Sequence, residues 1–334
     1  MFLSKTNNPM KLKKIIFFIV LILIYITGYS QGTGNETALH KVNSDSIAGW
    51  KKGGIFIVNF SQASLSNWSA GGKNSISLNG LTSVFLNYHQ IKYFWDNSLD
   101  LGYGFLKQGK NEKSQKTDDK VDFLSQYGIK TSKNWYLAGL LNFKTQMAPG
   151  FNYPNDSVKI SDFFAPAYLI GAVGIDYKPN SVFSVFLSPL TYKLTIVHDQ
   201  KLADIGAFGV DKAVLDINGK ILEQGKKSKT ALGGYVRVIY TQNKFKSEIL
   251  KNVSLTTKLD LFSNYLDKPQ NIVINWENII AFKVNRFIAV NINTLLIYDD
   301  NIRIQEKLAD GTINYKGPKI QFKELIGLGV SYKF

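Results

Sequence analysis

From Gly53 onward, apolar and polar side chains alternate with a period of two. Between Asn74 and His89, Ile76, Leu78, Thr82, Val84, Leu86 and Tyr88 share one face, while Ser75, Ser77, Asn79, Ser83, Asn87 and His89 share the other. Leu99, Leu101, Tyr103 and Phe105 likewise oppose Asp96, Ser98 and Asp100. Val253, Leu255, Leu259 and Leu261 oppose Ser254, Thr256, Lys258 and Asp260. Ile272, Ile274, Trp276, Ile280 and Phe282 oppose Asn275, Glu277 and Lys283. A helix would smear both sets around its axis, so these segments predict strands. Twelve are expected, near 54–61, 74–89, 92–107, 120–131, 134–147, 164–177, 181–198, 228–241, 250–264, 271–284, 286–299 and 319–334. Many exceed the ~5–6 residues of an ordinary strand and reach the ~9–11 that a tilted strand needs to cross hydrocarbon.

The connections between these segments are for the most part alternately long and short, the exceptions being Gln242–Ile249, rather long, and Tyr265–Gln270, rather short. That alternation predicts an all-β fold, an antiparallel up-and-down transmembrane β-barrel of about twelve strands, with one rim of tight turns and one of loops. A soluble sandwich would also alternate, because its apolar faces pack on a second sheet. Two features argue against it. The polar faces are rich in Ser, Asn, Gly and Thr, as in a wet lumen. Aromatics also gather near strand ends (Trp95, Trp135, Tyr177, Phe183, Tyr240, Phe282, Phe287 and Tyr298), as in interfacial girdles. Leu328, Val330, Tyr332 and Phe334 alternate with Gly327, Gly329, Ser331 and Lys333, which resembles the β-signal of outer-membrane proteins and implies recognition by the barrel-assembly machinery.

Residues 1–30 have the build of a cleaved signal peptide. Lys11, Lys13 and Lys14 precede an apolar run from Ile15 to Ile26, and Gly28 and Ser30 supply small residues before the cut. The run is too short to span ~30 Å of hydrocarbon as a helix. The expected organisation is therefore a signal peptide (1–30), a periplasmic extension (31–52) and a barrel (53–334), exported to the cell outer membrane.

Several strings add a family resemblance. They include Asn59-Phe60-Ser61-Gln62-Ala63-Ser64-Leu65-Ser66-Asn67-Trp68, Leu259-Asp260-Leu261-Phe262-Ser263-Asn264-Tyr265, and the closing segment from Gly317-Pro318 to Phe334. Together they resemble a family of outer-membrane barrels from the Bacteroidota without an established activity, over about residues 50–334. The resemblance implies location and architecture, and it carries no catalytic residue with it.

The absence of cysteine removes disulfides, thiolate metal sites and thiol nucleophiles. The three histidines, His40, His89 and His198, leave little room for imidazole chemistry. His198 beside Asp199 is the best trace of a rim hydrolase, yet adjacent strand residues point to opposite faces. No motif suggests a cofactor, and acidic pairs such as Asp299–Asp300 lack the spacing of a calcium loop. The formal charge is +15, with four of the lysines in the leader and only Arg237, Arg286 and Arg303 as arginine. Export and the shortage of arginine argue against nucleic acid. Lysines in the outer loops, such as Lys110, Lys113 and Lys226, would instead meet lipopolysaccharide phosphates and outer-membrane lipids.

Strand parity places Asp96, Asp100, Asp122, Asp176, Asp260 and Glu277 inside the barrel with Lys130, Lys144, Arg237, Lys258, Lys283 and Lys323. Such balanced charge either lines a narrow bore or cross-links it. The large inward groups Phe85, Leu124, Tyr136, Leu140 and Tyr235 favour a partly filled lumen. Of the long loops 148–163 and 199–227, one is expected to fold over or into the barrel, or to dock a partner. The leading functional expectation is a narrow or loop-constricted channel for small polar solutes. The alternatives are a non-enzymatic barrel docking a secretion or envelope complex and, last, an outer-rim hydrolase.

Overall fold

A computed structural model describes residues 48–65, 73–109, 112–153, 156–243, 245–285, 288–302, 304–307 and 313–333. Residues 1–30 of the expected leader, residues 31–47 of the expected extension, Phe287 of the expected girdle and the terminal Phe334 lie outside the described residues.

Twelve strands form one closed barrel. They are β1 (Gly49–Ala63), β2 (Ser75–His89), β3 (Tyr93–Gln108), β4 (Gln115–Lys130), β5 (Trp135–Thr145) and β6 (Ala167–Tyr177). The ring continues with β7 (Phe183–Ile196), β8 (Ser228–Gln242), β9 (Val253–Asn264), β10 (Ile272–Lys283), β11 (Ile288–Tyr298) and β12 (Gln321–Lys333). Each strand pairs antiparallel with the next in sequence, and β12 returns to β1 with Val58 opposite Val330. Closure leaves no unpaired sheet edge.

Each of the expected segments is a strand, and two start earlier than the alternation suggested. β1 begins at Gly49, inside the expected extension, because Trp50 and Lys51 continue the ladder opposite Tyr88 and Asn87. β4 begins at Gln115, inside an expected loop, and pairs Asp119 with Tyr103. One turn rim joins strands through 90–92, 131–134, 178–182, 243–252 and 284–287, and the opposite rim carries the long loops. In the middle of β7, Pro189 cannot donate to the ladder. The register shifts there against both neighbours, and the Ser188 hydroxyl lies 2.8 Å from the Val173 carbonyl.

Burial is inverted relative to a water-soluble protein. Inward residues Asp100, Asp176, Arg237 and Lys258 are buried, while Leu137, Leu187 and Leu328 on the outer face are about half exposed. A closed ring has no second sheet to cover that outer face, so lipid is the solvent it fits. At the turn rim, Trp50 stacks near Tyr88 (5.0 Å) and Trp95 (6.0 Å), and Trp135 meets Tyr177 at 4.5 Å. These form one interfacial belt. Replacing Leu141, exposed near the middle of β5, with lysine is expected to cost ~2–4 kcal/mol. Urea titration of vesicle-embedded protein, followed by tryptophan fluorescence, measures it. An unchanged midpoint would contradict the lipid-facing assignment.

Candidate functional site: a bridged lumen beneath an outer cavity

The inward side chains meet across the bore. Lys120 on β4 donates to Glu277 on β10 at 2.8 Å. Lys258 on β9 lies 3.4 Å from Asp100 of β3 and 3.5 Å from Glu277. In this ring β4 stands diametrically opposite β10, and β3 opposite β9. The Lys120–Glu277 and Lys258–Asp100 bridges therefore cross the lumen. The Ser83 hydroxyl donates to Asp100 and holds its carboxylate.

Beside this bridge Lys144 lies between Asp122 (3.6 Å) and Asp260 (3.3 Å). Asp260 accepts from the Tyr235 hydroxyl at 2.6 Å and lies 3.4 Å from Arg237 Nε. Asn142 donates to Asp122 at 2.7 Å. Toward the loop rim, Lys323 of β12 donates to Asp118 of β4 at 2.6 Å. Toward the turn rim, Lys178 sits over the Phe94 ring and bridges Asp96 (3.3 Å) and Asp176 (3.2 Å). His89 Nε2 is 2.6 Å from Asp96, and Gln126 donates to Asp176 at 2.8 Å. Buried Leu140, Phe186, Tyr235 and Phe262 fill part of the remaining section.

This network gathers Asp96, Asp100, Asp122, Lys144, Asp176, Arg237, Lys258, Asp260, Glu277 and Lys323 from the parity expectation. Lys283 lies on the inward register of β10 at its turn end, partly exposed. Lys130, expected to line the lumen, is exposed at the end of β4. It shares the register of Gln126 and Asp122 on β4, but its depth places it at the rim. Lys120, Lys178 and Asp118 also belong to the network, beyond the residues expected from strand alternation. Lys120 lies two residues from Asp122 and shares its inward parity, whereas Lys178 sits in a turn where parity gives no signal.

Above the bridge, toward the loop rim, opens a cavity of about 1250 Å³. Its lid is the loop 197–227. Asp199 accepts from the backbone N–H of Lys201 (2.9 Å) and Leu202 (3.2 Å), capping the short helix α1 (Gln200–Asp204). Leu202, Ala203 and Val210 then pack on Ala165 and Val197. The apolar content of this loop, unusual for a free loop, is explained by that small core. The other oxygen of Asp199 accepts from Lys159, which also bonds Asp162, so a latch ties the loops 146–166 and 197–227 together. Capping and latch engage both oxygens of Asp199, and His198 itself is exposed.

The latch is pH-sensitive with a defined sign. The hydrogen bond from Lys159 holds the carboxyls of Asp162 and Asp199 below their ordinary 3.8, and the same bonds raise Lys159 above 10.5. A lowered carboxyl stabilises in full above 3.8 and loses that stabilisation as pH falls through the lowered value; a raised lysine stabilises in full below 10.5 and loses it as pH rises through the raised value. Hydrogen exchange of the amides of 200–205, corrected for intrinsic rates, is expected to stay flat from mild acid to mild alkali and to rise below about pH 3.8. A rise near pH 6 would contradict the latch.

A closed antiparallel barrel with an apolar exterior and a charged interior is a transmembrane β-barrel. The sequence model of a family described as a protein of unknown function (DUF3078) matches residues 60–151. No curated protein matches the chain. Among solved structures, an outer membrane channel of Pseudomonas putida F1 (COG4313) is similar at 12% identity, covering 92% of this chain and 100% of that one, with a TM-score of 0.37. The translocator domain of the autotransporter NalP from Neisseria meningitidis is similar at 11% identity, covering 88% and 91%, with a TM-score of 0.31. A FadL homologue from Pseudomonas aeruginosa is similar at 9% identity, covering 90% and 92%, with a TM-score of 0.32. The barrel assignment rests on the strand pairing described above.

Proposed function

We propose that the protein is an outer-membrane channel for small polar solutes, closed at rest by ion pairs that span its lumen. The observation that carries this reading is the set of contacts from Lys120 and Lys258 to Glu277 and Asp100. A plug needed only for rigidity is served by apolar packing, as beside it in Leu140, Phe186 and Phe262. Buried charges, even when paired, are often no more stabilising than such packing. Here the cations are shared: Lys258 reaches both Asp100 and Glu277, and Lys144 reaches both Asp122 and Asp260. A shared cation can leave one partner while keeping another, so the network can re-pair around a passing solute without exposing a bare charge.

The leader, the apolar belt and the alternating C-terminal strand support placement in the outer membrane, with insertion through the barrel-assembly machinery. Lipopolysaccharide is the proposed neighbour of the lysines at the loop rim, such as Lys73, Lys113 and Lys226. A non-enzymatic assembly barrel is the second reading, favoured by the apolar cluster that fills part of the bore.

Planar-bilayer recording separates the two. The channel reading expects small, infrequent openings of the wild-type protein, and a silent barrel under every condition and variant would favour assembly. Because the closure lies below the lid, excising the loop hairpin 214–223 is expected to leave the resting conductance unchanged. A rise on excision would move the barrier into the loop.

A further inference from the structure

The cavity above the bridge has walls of two kinds. One is apolar: Leu202, Ile205, Phe208 and Leu215 of the lid, with Phe262 and Val273 of the barrel. The other carries three lysine–aspartate pairs, Lys193–Asp299 at 3.6 Å, Lys229–Asp267 at 3.9 Å and Lys268–Asp300 at 4.0 Å. We propose that this cavity is the binding site of a neutral oligosaccharide of about two or three rings. The proposal deepens the channel reading by naming a solute class, and it rests on that reading only for what happens after binding.

Three separations define the charged wall. Each exceeds the ~2.7–3.2 Å of a hydrogen bond, so each pair offers an ammonium donor and a carboxylate acceptor that do not satisfy one another. A single hydroxyl accepts from the one and donates to the other through the same oxygen, which an amide nitrogen or a carbonyl cannot do. A ligand with several hydroxyls along one edge answers several such pairs at once. Asn264 and Asn301, also on the cavity wall, add side-chain amides with both donors and an acceptor.

The cations are also held in place. The Lys193 ammonium lies 5.4 Å from the ring centroids of both Tyr168 and Phe262, so it keeps its position without a tight ionic partner. Asn271 donates to Asp300 at 2.6 Å, and the Asn301 backbone and side-chain amides donate to Asp299 at 2.9 and 3.0 Å. These bonds fix the carboxylates before a ligand arrives, which lowers the ordering cost of binding.

Charge and size narrow the class. The wall mixes lysines with a similar number of aspartates, so an anion meets carboxylates and a cation meets ammonium groups. A purely apolar ligand would strip water from the three pairs and return no hydrogen bond in its place, at a desolvation cost for the charges. A pyranose has a C–H face for the apolar wall and a hydroxyl edge for the charged one. The volume of about 1250 Å³ exceeds the ~300–1,000 Å³ of common small-molecule clefts, which leaves room for more than one ring.

The test is calorimetric titration of the whole mature protein in a zwitterionic detergent, since sugar-headed detergents would compete. The probes are maltotriose, cellotriose and laminaritriose, set against trialanine and decanoate. At least one trisaccharide is expected to bind, and more tightly than either control. Lys229→Met and Asp267→Asn, at a partly exposed pair, are each expected to weaken it by about ten-fold, or ~1.4 kcal/mol, with the heat-modifiable gel shift of the folded barrel intact. The proposal is overturned if no trisaccharide binds, if a control binds more tightly, or if both variants bind as the wild type does. Binding is read without transport, so a barrel that binds sugar but never conducts rejects the channel reading alone, and one that conducts but binds no sugar rejects this inference alone.

Discussion

A Lys258→Ala, Glu277→Ala double variant is expected to raise the mean single-channel conductance at least about ten-fold over the wild type, by turning a crossed bore into an open one. The two substitutions remove Lys120–Glu277, Lys258–Asp100 and Lys258–Glu277 together. They also delete one charge of each sign, so the net charge of the lumen is unchanged. Of the groups left behind, Lys120 on β4 pairs in register with Gly102 of β3, two residues from Asp100. Those two can neutralise each other along one wall and clear the axis. The Lys178 cluster does not substitute for the lost bridge, because Asp96 on β3 and Asp176 on β6 stand only three strands apart in the ring. A double variant that conducts no more than the wild type, with its folded gel shift intact, would reject the bridge as the barrier.

The barrel was legible in the sequence because membrane strands alternate more cleanly than most. One side of each strand faces lipid and the other a polar interior, so Leu255, Leu259 and Leu261 separate from Thr256, Lys258 and Asp260 without ambiguity. Where a strand rises beyond the hydrocarbon, that rule stops acting. The start of β4, Gln115 to Lys120, is polar on both faces and reads as loop, yet its backbone continues the ladder with β3. The same holds for Lys51 and Lys52 at the start of β1. The girdle was legible in part. Trp95, Trp135 and Tyr177 fall at the ends of expected strands, whereas Trp50 falls in the expected extension.

Parity gave the facing of the lumen charges but not their partners. It places Asp100 and Lys258 inside from local alternation alone, while their meeting depends on the ring closing with β3 opposite β9, a relation between residues 158 positions apart in the chain. Depth is equally nonlocal: Lys130 and Gln126 share a face of β4, yet one is exposed at the rim and the other buried. The cavity was still less visible, since its walls come from four loops and the ends of four strands that no periodic pattern brings together.

Asp260→Ala is expected to be the most destabilising single substitution in the lumen, at ~3–5 kcal/mol, the range for removing one member of a buried charged pair. Three groups depend on this carboxylate. Tyr235 loses its acceptor, Lys144 keeps only Asp122 at 3.6 Å, and Arg237 loses the one anion paired with it among the described residues. Arg237 is the decisive partner. Its Nε and Nη1 are buried without a hydrogen bond, so the nearby charge of Asp260 is what offsets its burial. Removing both charges, as Asp260→Leu with Arg237→Met, is therefore expected to recover most of the loss, because apolar replacement of a buried pair is often neutral or stabilising. Urea unfolding in vesicles, run as a double-mutant cycle, gives the coupling directly. A cost below ~1 kcal/mol for Asp260→Ala would resemble an exposed ion pair. It would mean that bulk water reaches Arg237 in the folded barrel, and a lumen wet at that level is not the closed state that the conductance argument requires.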